Sequence, residues 1–140
     1  MANKSCVLVC VTEQMNCDRL IEAGRAIADL KNEDLKVLCV PKLAGGNCII
    51  SEEVEYLYQI SKEYGAEMRI VFHDKAPLIA AEYAKEINAS RIVTGMPDSS
   101  LNGFIVMVRY LAPSLTISMV SKEGTVYNMY AKQDNTKVNA

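Results

Sequence analysis

The clearest fold signal in the sequence is "EMRIVFHDKAPLIAAEYAKEINASRIVT", residues 67 to 94. Its first part, 67–72, is mostly apolar and predicts a strand, and the apolar run 91–94 predicts the next one. Between them, Pro77 suits the first turn of a helix. The side chains predicted to face inward from that helix are Ile79, Tyr83 and Ile87. The segment therefore predicts two parallel strands that are joined by a crossover helix.

The same alternation occurs upstream. Residues 5–11 form a continuous apolar run, typical of a strand buried on both faces, and 35–40 predicts the second strand. The helix between them has Asn16 or Asp18 as its N-cap. Its predicted inner stripe consists of Leu20, Gly24, Ile27 and Leu30. Because Gly24 lowers helix propensity, we expect it to allow close packing on the sheet.

Two further helices complete the pattern. One follows Ser51, a good N-cap, and ends at Gly65. The other begins after Ser99 or Ser100, and a fifth strand at 115–120 follows it. The predicted inner face of this last helix consists of Leu101, Ile105, Val108 and Leu111.

Five strands that alternate with helices predict an α/β fold, with a parallel sheet covered by helices on both faces in the Rossmann-like manner. We assign residues 1–121 to this domain. Residues 122–140 are predicted to be a C-terminal extension that contains either an edge strand or an interface segment, followed by a frayed tail.

The composition excludes several classes of protein. With 140 residues, half of them hydrophobic, the chain predicts one globular domain. The formal net charge of −2 is spread evenly, which argues against nucleic acid or an anionic membrane as partner. No apolar run reaches the ~18 residues of a membrane span, so a cytoplasmic location is predicted.

The five cysteines are odd in number and form no CxxC pair. They predict neither a disulfide framework nor a zinc site. Cys17 and Cys48 lie at or near predicted loops, where a redox role stays open.

Three segments resemble universal stress proteins: "KSCVLVCVTEQMNCDRLIEAGRAIA", "IVFHDKAPLIAAEYAKEINASRIVTG" and "YLAPSLTISMV". The nearest subgroup is the universal-stress-like domains of bacterial potassium-sensor histidine kinases. The resemblance implies a five-stranded sheet in the order 3-2-1-4-5, of the adenine nucleotide alpha hydrolase-like type. It also implies a homodimer formed through the last strand and the C-terminal segment, and a sensing or regulatory role without catalysis.

In that strand order the sheet reverses direction between strands 1 and 4, and ligands of such sheets bind beside the carboxyl ends of those strands. The candidate ligand-binding residues that this crevice implies are Thr12, Glu13, Val40, Lys42, Gly95, Ser99, Ser100, Asn102 and Gly103.

The ATP motif of the family is degenerate in this chain. ATP binders carry a glycine at the end of strand 4, a second one three residues on, then about nine residues and a Gly-Ser or Gly-Thr pair that cradles the phosphates. Gly95 matches the first glycine, but Asp98 replaces the second, and only residues 99–101 separate it from Asn102. Thr12 stands where ATP binders have an aspartate. ATP in the usual pose is therefore not expected, while another nucleotide or a small anion stays possible.

No residue is assigned a catalytic or metal-binding role. His73, the only histidine, is next to Asp74, a pairing that suits a general base. However, strand 3 is expected at the sheet edge, distant from the crevice, so a solvated turn histidine is predicted. No cluster of metal ligands is visible. Two alternatives to a regulatory domain stay open: a binder or hydrolase of another nucleotide or small anion, and a purely dimeric interaction module whose crevice is filled by side chains. Ser99 or Ser100 is also open to a simpler interpretation, as an N-cap that binds no ligand.

Overall fold

The computed structural model describes residues 4–43, 48–97 and 103–131. Within them the chain forms six strands and four helices. In chain order they are β1 (Cys6–Val11), α1 (Asp18–Lys31), β2 (Asp34–Cys39), α2 (Glu52–Glu63), β3 (Glu67–Ile70), α3 (Ala76–Glu86), β4 (Ala89–Gly95), α4 (Gly103–Leu111), β5 (Thr116–Val120) and β6 (Val126–Met129). A short 3-10 turn, Met15–Cys17, precedes α1.

The strands form one sheet in the order β3-β2-β1-β4-β5-β6. Strands β1 to β5 are parallel, as predicted, and their predicted order is confirmed. The sheet has one strand more than the five expected, because β6 pairs antiparallel with β5. The turn between them contains Gly124, whose φ of 90° favours glycine.

Helices cover both faces of the sheet. One core lies between the sheet and helices α1 and α2, and it contains Val7, Val9 and Leu57. The other lies under α3 and α4, and it contains Leu8 and Ile105. All six residues of β1 are buried, which confirms the prediction of a strand covered on both faces.

Gly24 brings α1 close to the sheet, as predicted. A Cβ placed on Gly24 would lie 2.3 Å from Cγ2 of Val9 and 3.1 Å from Cδ1 of Leu35. A methyl group at such distances would force these buried side chains or the helix to shift. Glycine is therefore favoured here by the close approach of α1 to the side chains of β1 and β2.

The predicted inner stripe of α1 is wrong at one end. Leu30 is 89% exposed, whereas Ile21 and Ala28 are fully buried. At about 100° per residue, position 30 lies some 200° around the helix from position 28. The buried face therefore follows residues 20, 21, 24 and 28.

The helix starts agree only in part with the predicted caps. Ser51 caps α2 as predicted, since its hydroxyl accepts a hydrogen bond from the N–H of Val54 at 3.2 Å. Neither predicted cap of α1 acts as one: its N-cap residue is Cys17, which makes no side-chain cap bond. Asp18 instead accepts a hydrogen bond from the Tyr56 hydroxyl at 2.8 Å, which ties α1 to α2.

Other helix predictions hold or are adjusted. Gly65 follows α2 with a φ of 71°, and Pro77 lies in the first turn of α3. The fully buried residues of α3 are the small ones, Ala80, Ala81 and Ala84, while the predicted Ile79, Tyr83 and Ile87 pack at the margin of the core. In α4, Ile105 and Val108 are buried as predicted; Leu101 lies outside the described residues.

No helix formed by the described residues is long and apolar enough to cross a bilayer.

Candidate functional site

A cleft opens at the carboxyl ends of the parallel strands, where the sheet reverses direction between β1 and β4. Its volume is about 1240 Å³. The ends of β1, β2 and β4 form its floor, and the first turns of α1, α3 and α4 form its walls. This is where open α/β sheets bind their ligands.

The structure brings six of the nine predicted site residues together in this cleft. They are Thr12, Glu13, Val40, Lys42, Gly95 and Gly103. Thr12, Glu13 and Lys42 are exposed, and the hydroxyl of Thr12 lies 3.4 Å from the Cys17 sulfur. The other three, Ser99, Ser100 and Asn102, lie outside the described residues, and so does Asp98.

Sequence reasoning missed Arg19, which lines the cleft from the first turn of α1. Its Nε donates to the carbonyl of Ser121 at 3.2 Å and its Nη1 to the carbonyl of Asn16 at 2.8 Å. Its Nη2 lies 3.5 Å from where a Cβ on Gly95 would stand. The guanidinium is thus fixed beside the end of β4. A basic residue in a first helical turn, where acids are favoured, was the available signal.

Charge is unevenly distributed along the cleft. Lys122, just after β5, lines the same end as Arg19, and both are cations. The end formed by β1, β2 and β3 carries two carboxylates, Glu13 and Asp74, and one ammonium group, Lys42. The β4–β5 end is therefore the better place for an anion.

His73 and Asp74 line the cleft, so the prediction that they lie far from it is wrong. Strand β3 ends at Ile70, two residues earlier than predicted, but the chain stays beside β2. The N–H of Val71 donates to Cys39 at 3.0 Å, and that of His73 donates to Pro41 at 2.9 Å. These backbone bonds place residue 73 beside the carboxyl end of β2.

Apolar side chains complete the lining. Leu38 and Ala80 lie in the core beneath the cleft, whereas Met96 and Met107 are partly exposed at its surface. Methionine side chains adapt their shape to different apolar ligands.

Two thiols, Cys10 and Cys17, also line the cleft. Burial, together with the neighbouring Cys39, raises the pKa of Cys10 to about 12. Burial also raises the pKa of Cys39 to about 12, assisted by Glu13 and Cys17. Cys17, in the 3-10 turn before α1, is buried, and Cys48 is exposed. In the described part of the chain no three His, Cys, Asp or Glu side chains are grouped as metal ligands would be.

Comparison with solved structures shows that the fold is that of universal stress proteins. One such protein from Archaeoglobus fulgidus superimposes with a TM-score of 0.59 at 19% identity, covering 77% of this chain and 87% of its own. A universal stress protein from Archaeoglobus fulgidus in complex with dAMP gives 0.56 at 19% identity, covering 79% and 94%. A universal stress protein in complex with cAMP gives 0.58 at 14% identity, covering 85% and 98%.

No protein-family model matches the chain, and no curated protein is significantly similar to it in sequence. At these sequence identities, the likeness to solved structures establishes the fold and not the function. The function depends on the side chains that line the cleft.

Proposed function

We propose that this chain is a non-enzymatic regulatory or sensing domain whose cleft binds a nucleotide with one phosphate, and not ATP in the pose usual for universal stress proteins. The observation that carries the proposal is the coincidence, in one cleft, of the reversal point of the sheet with the cations Arg19 and Lys122. Two proteins of the same fold are described as complexes with dAMP and with cAMP, each of which has a single phosphate.

Arg19 suits the recognition of one phosphate group. A guanidinium has five N–H groups in a planar fork that matches phosphate oxygens, and the carbonyls of Ser121 and Asn16 use two of them. The same two bonds hold the fork in place before any ligand arrives. A preorganised cation binds its anion with less loss of side-chain entropy than a mobile one.

The connection between β4 and α4 argues against a triphosphate. Only residues 96–102 join the two elements. Met96 and Pro97, which follow Gly95 in the cleft, offer no free backbone N–H, because that of Met96 donates to the carbonyl of Val120 at 2.9 Å and proline has none. A loop that wraps three phosphates needs several such amides and a longer path.

Two side chains of the cleft that could perform chemistry, Cys10 and His73, are poorly suited to it as they stand. A thiol with a pKa of about 12, such as that of Cys10, is protonated at neutral pH and is a poor nucleophile. The Nδ1 atom of His73 already accepts a hydrogen bond from the backbone N–H of Lys75. These features favour binding over catalysis. The five free thiols suit a reducing compartment, so the proposal includes a cytoplasmic location.

We also propose that the chain forms a homodimer through β6, the edge strand that ends the sheet. Tyr127 is 49% exposed and Tyr130 is 66% exposed, so the edge carries apolar surface beside unpaired backbone groups. The resemblance to domains of potassium-sensor kinases agrees with a regulatory role exerted through such contacts.

Calorimetric titration with AMP, cAMP and ATP tests the proposed ligand class. We expect AMP or cAMP to bind at least ~10-fold more tightly than ATP, because the short loop cannot follow the additional phosphates. Arg19→Met should weaken AMP binding by ~10-fold or more, since it removes a charge-assisted contact.

Lys31→Met is the matched control, because Lys31 is an exposed cation in the last turn of the same helix and does not line the cleft. AMP binding should be unchanged in this variant. The proposal is wrong if neither AMP nor cAMP binds to the unaltered protein, or if ATP binds as tightly as AMP. A protein that dimerises but binds no nucleotide would favour the interaction module instead.

A further inference from the structure

The imidazole of His73 is held in one orientation on the cleft wall. Its Nδ1 accepts a hydrogen bond from the N–H of Lys75 at 2.9 Å. Lys75 is the N-cap residue of α3 and makes no side-chain cap bond of its own. The ring therefore satisfies one of the N–H groups at the start of α3, which fixes it relative to the helix.

The same bond selects the tautomer of the neutral ring. A nitrogen that accepts a hydrogen bond carries no proton, so the neutral ring holds its proton on Nε2. Among the described residues no atom accepts a hydrogen bond from this Nε2–H. The Nδ1 atom of the ring is therefore hydrogen-bonded to the backbone, and the Nε2–H group can donate to a ligand in the cleft.

Asp74 stabilises the same part of the cleft wall through its side chain. Its Oδ1 accepts a hydrogen bond from the N–H of Leu43 at 3.1 Å, which joins the segment after β3 to the segment after β2. Together with the bond from His73 N–H to the carbonyl of Pro41, this bond holds the backbone of residues 73 and 74 against the segment after β2. A side chain attached to a backbone that hydrogen bonds hold in place needs little reorganisation when it binds a ligand.

We propose that His73 is the hydrogen-bond donor that recognises the uncharged end of the ligand, through its Nε2–H, at the end of the cleft formed by β2 and β3. This inference rests on the proposed nucleotide-binding function and adds the residue that reads the base. The carboxylates of Glu13 and Asp74 outnumber the one ammonium group, Lys42, on this side of the cleft, so the net charge disfavours phosphate there. A ring nitrogen or carbonyl oxygen of a nucleobase is the acceptor that fits.

The sheet sets the length of such a ligand. Lys122 follows β5 and His73 lies beside the end of β2, and these two strands are three strand spacings apart in the sheet. At about 4.8 Å for each spacing, the two ends of the cleft are ~14 Å apart. A ligand that contacts both ends must be extended and must carry its anionic group opposite its hydrogen-bonding ring. Inorganic phosphate is too small to use both ends.

A pair of substitutions separates the two nitrogens of the ring. His73→Asn keeps an acceptor near the position of Nδ1 and removes the Nε2–H, whereas His73→Gln places an amide donor near Nε2 and loses the Nδ1 acceptor. In titrations with AMP we expect His73→Asn to lose ~10-fold in affinity and His73→Gln to stay within ~3-fold of the unaltered protein. Thermal unfolding should show the opposite order of stability, with His73→Gln the less stable variant.

A spectroscopic measurement gives a second readout. Because the chain has one histidine, labelling with ¹⁵N-histidine reports a single ring. We expect the free protein to show the Nε2–H tautomer at neutral pH, and AMP to shift the Nε2 resonance much more than the Nδ1 resonance. A ring that only caps α3 would show no such shift.

The outcomes distinguish this inference from the proposed function. If AMP binds and Arg19→Met weakens it, but His73→Asn leaves the affinity unchanged, His73 is a structural cap and the inference is wrong while the proposed function stands. If the unaltered protein binds neither AMP nor cAMP, both fail. Loss of affinity in His73→Asn together with retention in His73→Gln supports the inference.

Discussion

At the scale of single residues, a substitution at Gly24 tests whether close packing of α1 on the sheet requires glycine. Alanine favours an α-helix over glycine by about 1 kcal/mol, so Gly24→Ala would stabilise an isolated helix. In this protein the new methyl group would lie 2.3 Å from Val9 Cγ2, and both residues are buried. Overpacking of this kind costs about 1–3 kcal/mol, so we expect a net loss of stability in urea unfolding.

Gly103→Ala is the matched control for this substitution. Apart from its chain neighbours and its own helix backbone, no heavy atom of the described residues lies within 4 Å of a Cβ placed on Gly103, the first residue of α4. The alanine should leave the free energy of unfolding unchanged or raise it slightly. Equal effects of the two substitutions would show that close packing is not what requires glycine at position 24.

Residue-scale features differed in how far the sequence revealed them. Ser51 and Gly65 were predictable because each acts through an adjacent turn, and Gly24 was predictable because a glycine inside a helical pattern indicates close packing. Arg19 and His73 were not, since their positions depend on partners distant in sequence. Arg19 is held by Ser121, and His73 is placed by a backbone bond to Pro41. Local patterns carry no information about such partners.

At the scale of elements, β6 is attached to the sheet by a polar row that crosses three strands. Nη1 of Arg91 in β4 donates to the Ser118 hydroxyl at 2.7 Å and to Oδ1 of Asn128 at 3.2 Å. The Ser118 hydroxyl, on β5, donates to the same Asn128 oxygen at 2.7 Å. Ser118 is fully buried, so its hydroxyl depends on these partners.

This row predicts opposite results for two substitutions of similar size at residue 128. Asn128→Leu removes the acceptor shared by Arg91 and Ser118, and we expect a loss of about 1–2 kcal/mol in unfolding free energy. Asn128→Asp keeps an oxygen in place and adds a charge opposite the guanidinium, so stability should be retained. Urea unfolding and amide exchange of β5 measure both effects. If the two variants unfold alike, the row does not hold β6.

The elements also show where apolar patterns succeed and where they fail. The continuous run of β1 predicted a fully buried strand correctly, because a strand covered on both faces tolerates only apolar residues. The stripe of α1 failed at Leu30, because the chain places an apolar residue on the outer face of the last turn. A single exposed leucine is common on protein surfaces, and periodicity alone does not identify it.

At the scale of the whole molecule, the order of the strands determines the position of the cleft. The reversal between β1 and β4 follows from the order β3-β2-β1-β4-β5, and the six described candidate residues all lie beside it. The fold therefore located the cleft, although these residues keep only Gly95 of a recognisable motif. The chemistry of the cleft depends on tertiary neighbours, which the order of strands does not specify.

The exposed edge of β6 predicts that two copies of the chain associate. Pairing of β6 with its copy would join two sheets and cover the exposed rings of Tyr127 and Tyr130, and a stable interface needs at least ~1,200 Å² of buried surface. We expect light scattering to show a dimer at tens of micromolar, and a monomer when Tyr127→Lys and Tyr130→Lys are combined, because charged side chains block pairing of edges. Glu123→Lys, in the turn before β6, is the control and should remain dimeric. Because β6 still pairs with β5 in the double variant, its unfolding free energy should stay close to that of the unaltered protein, which separates loss of the interface from loss of the fold. An unaltered protein that is monomeric at these concentrations would rule out the dimer.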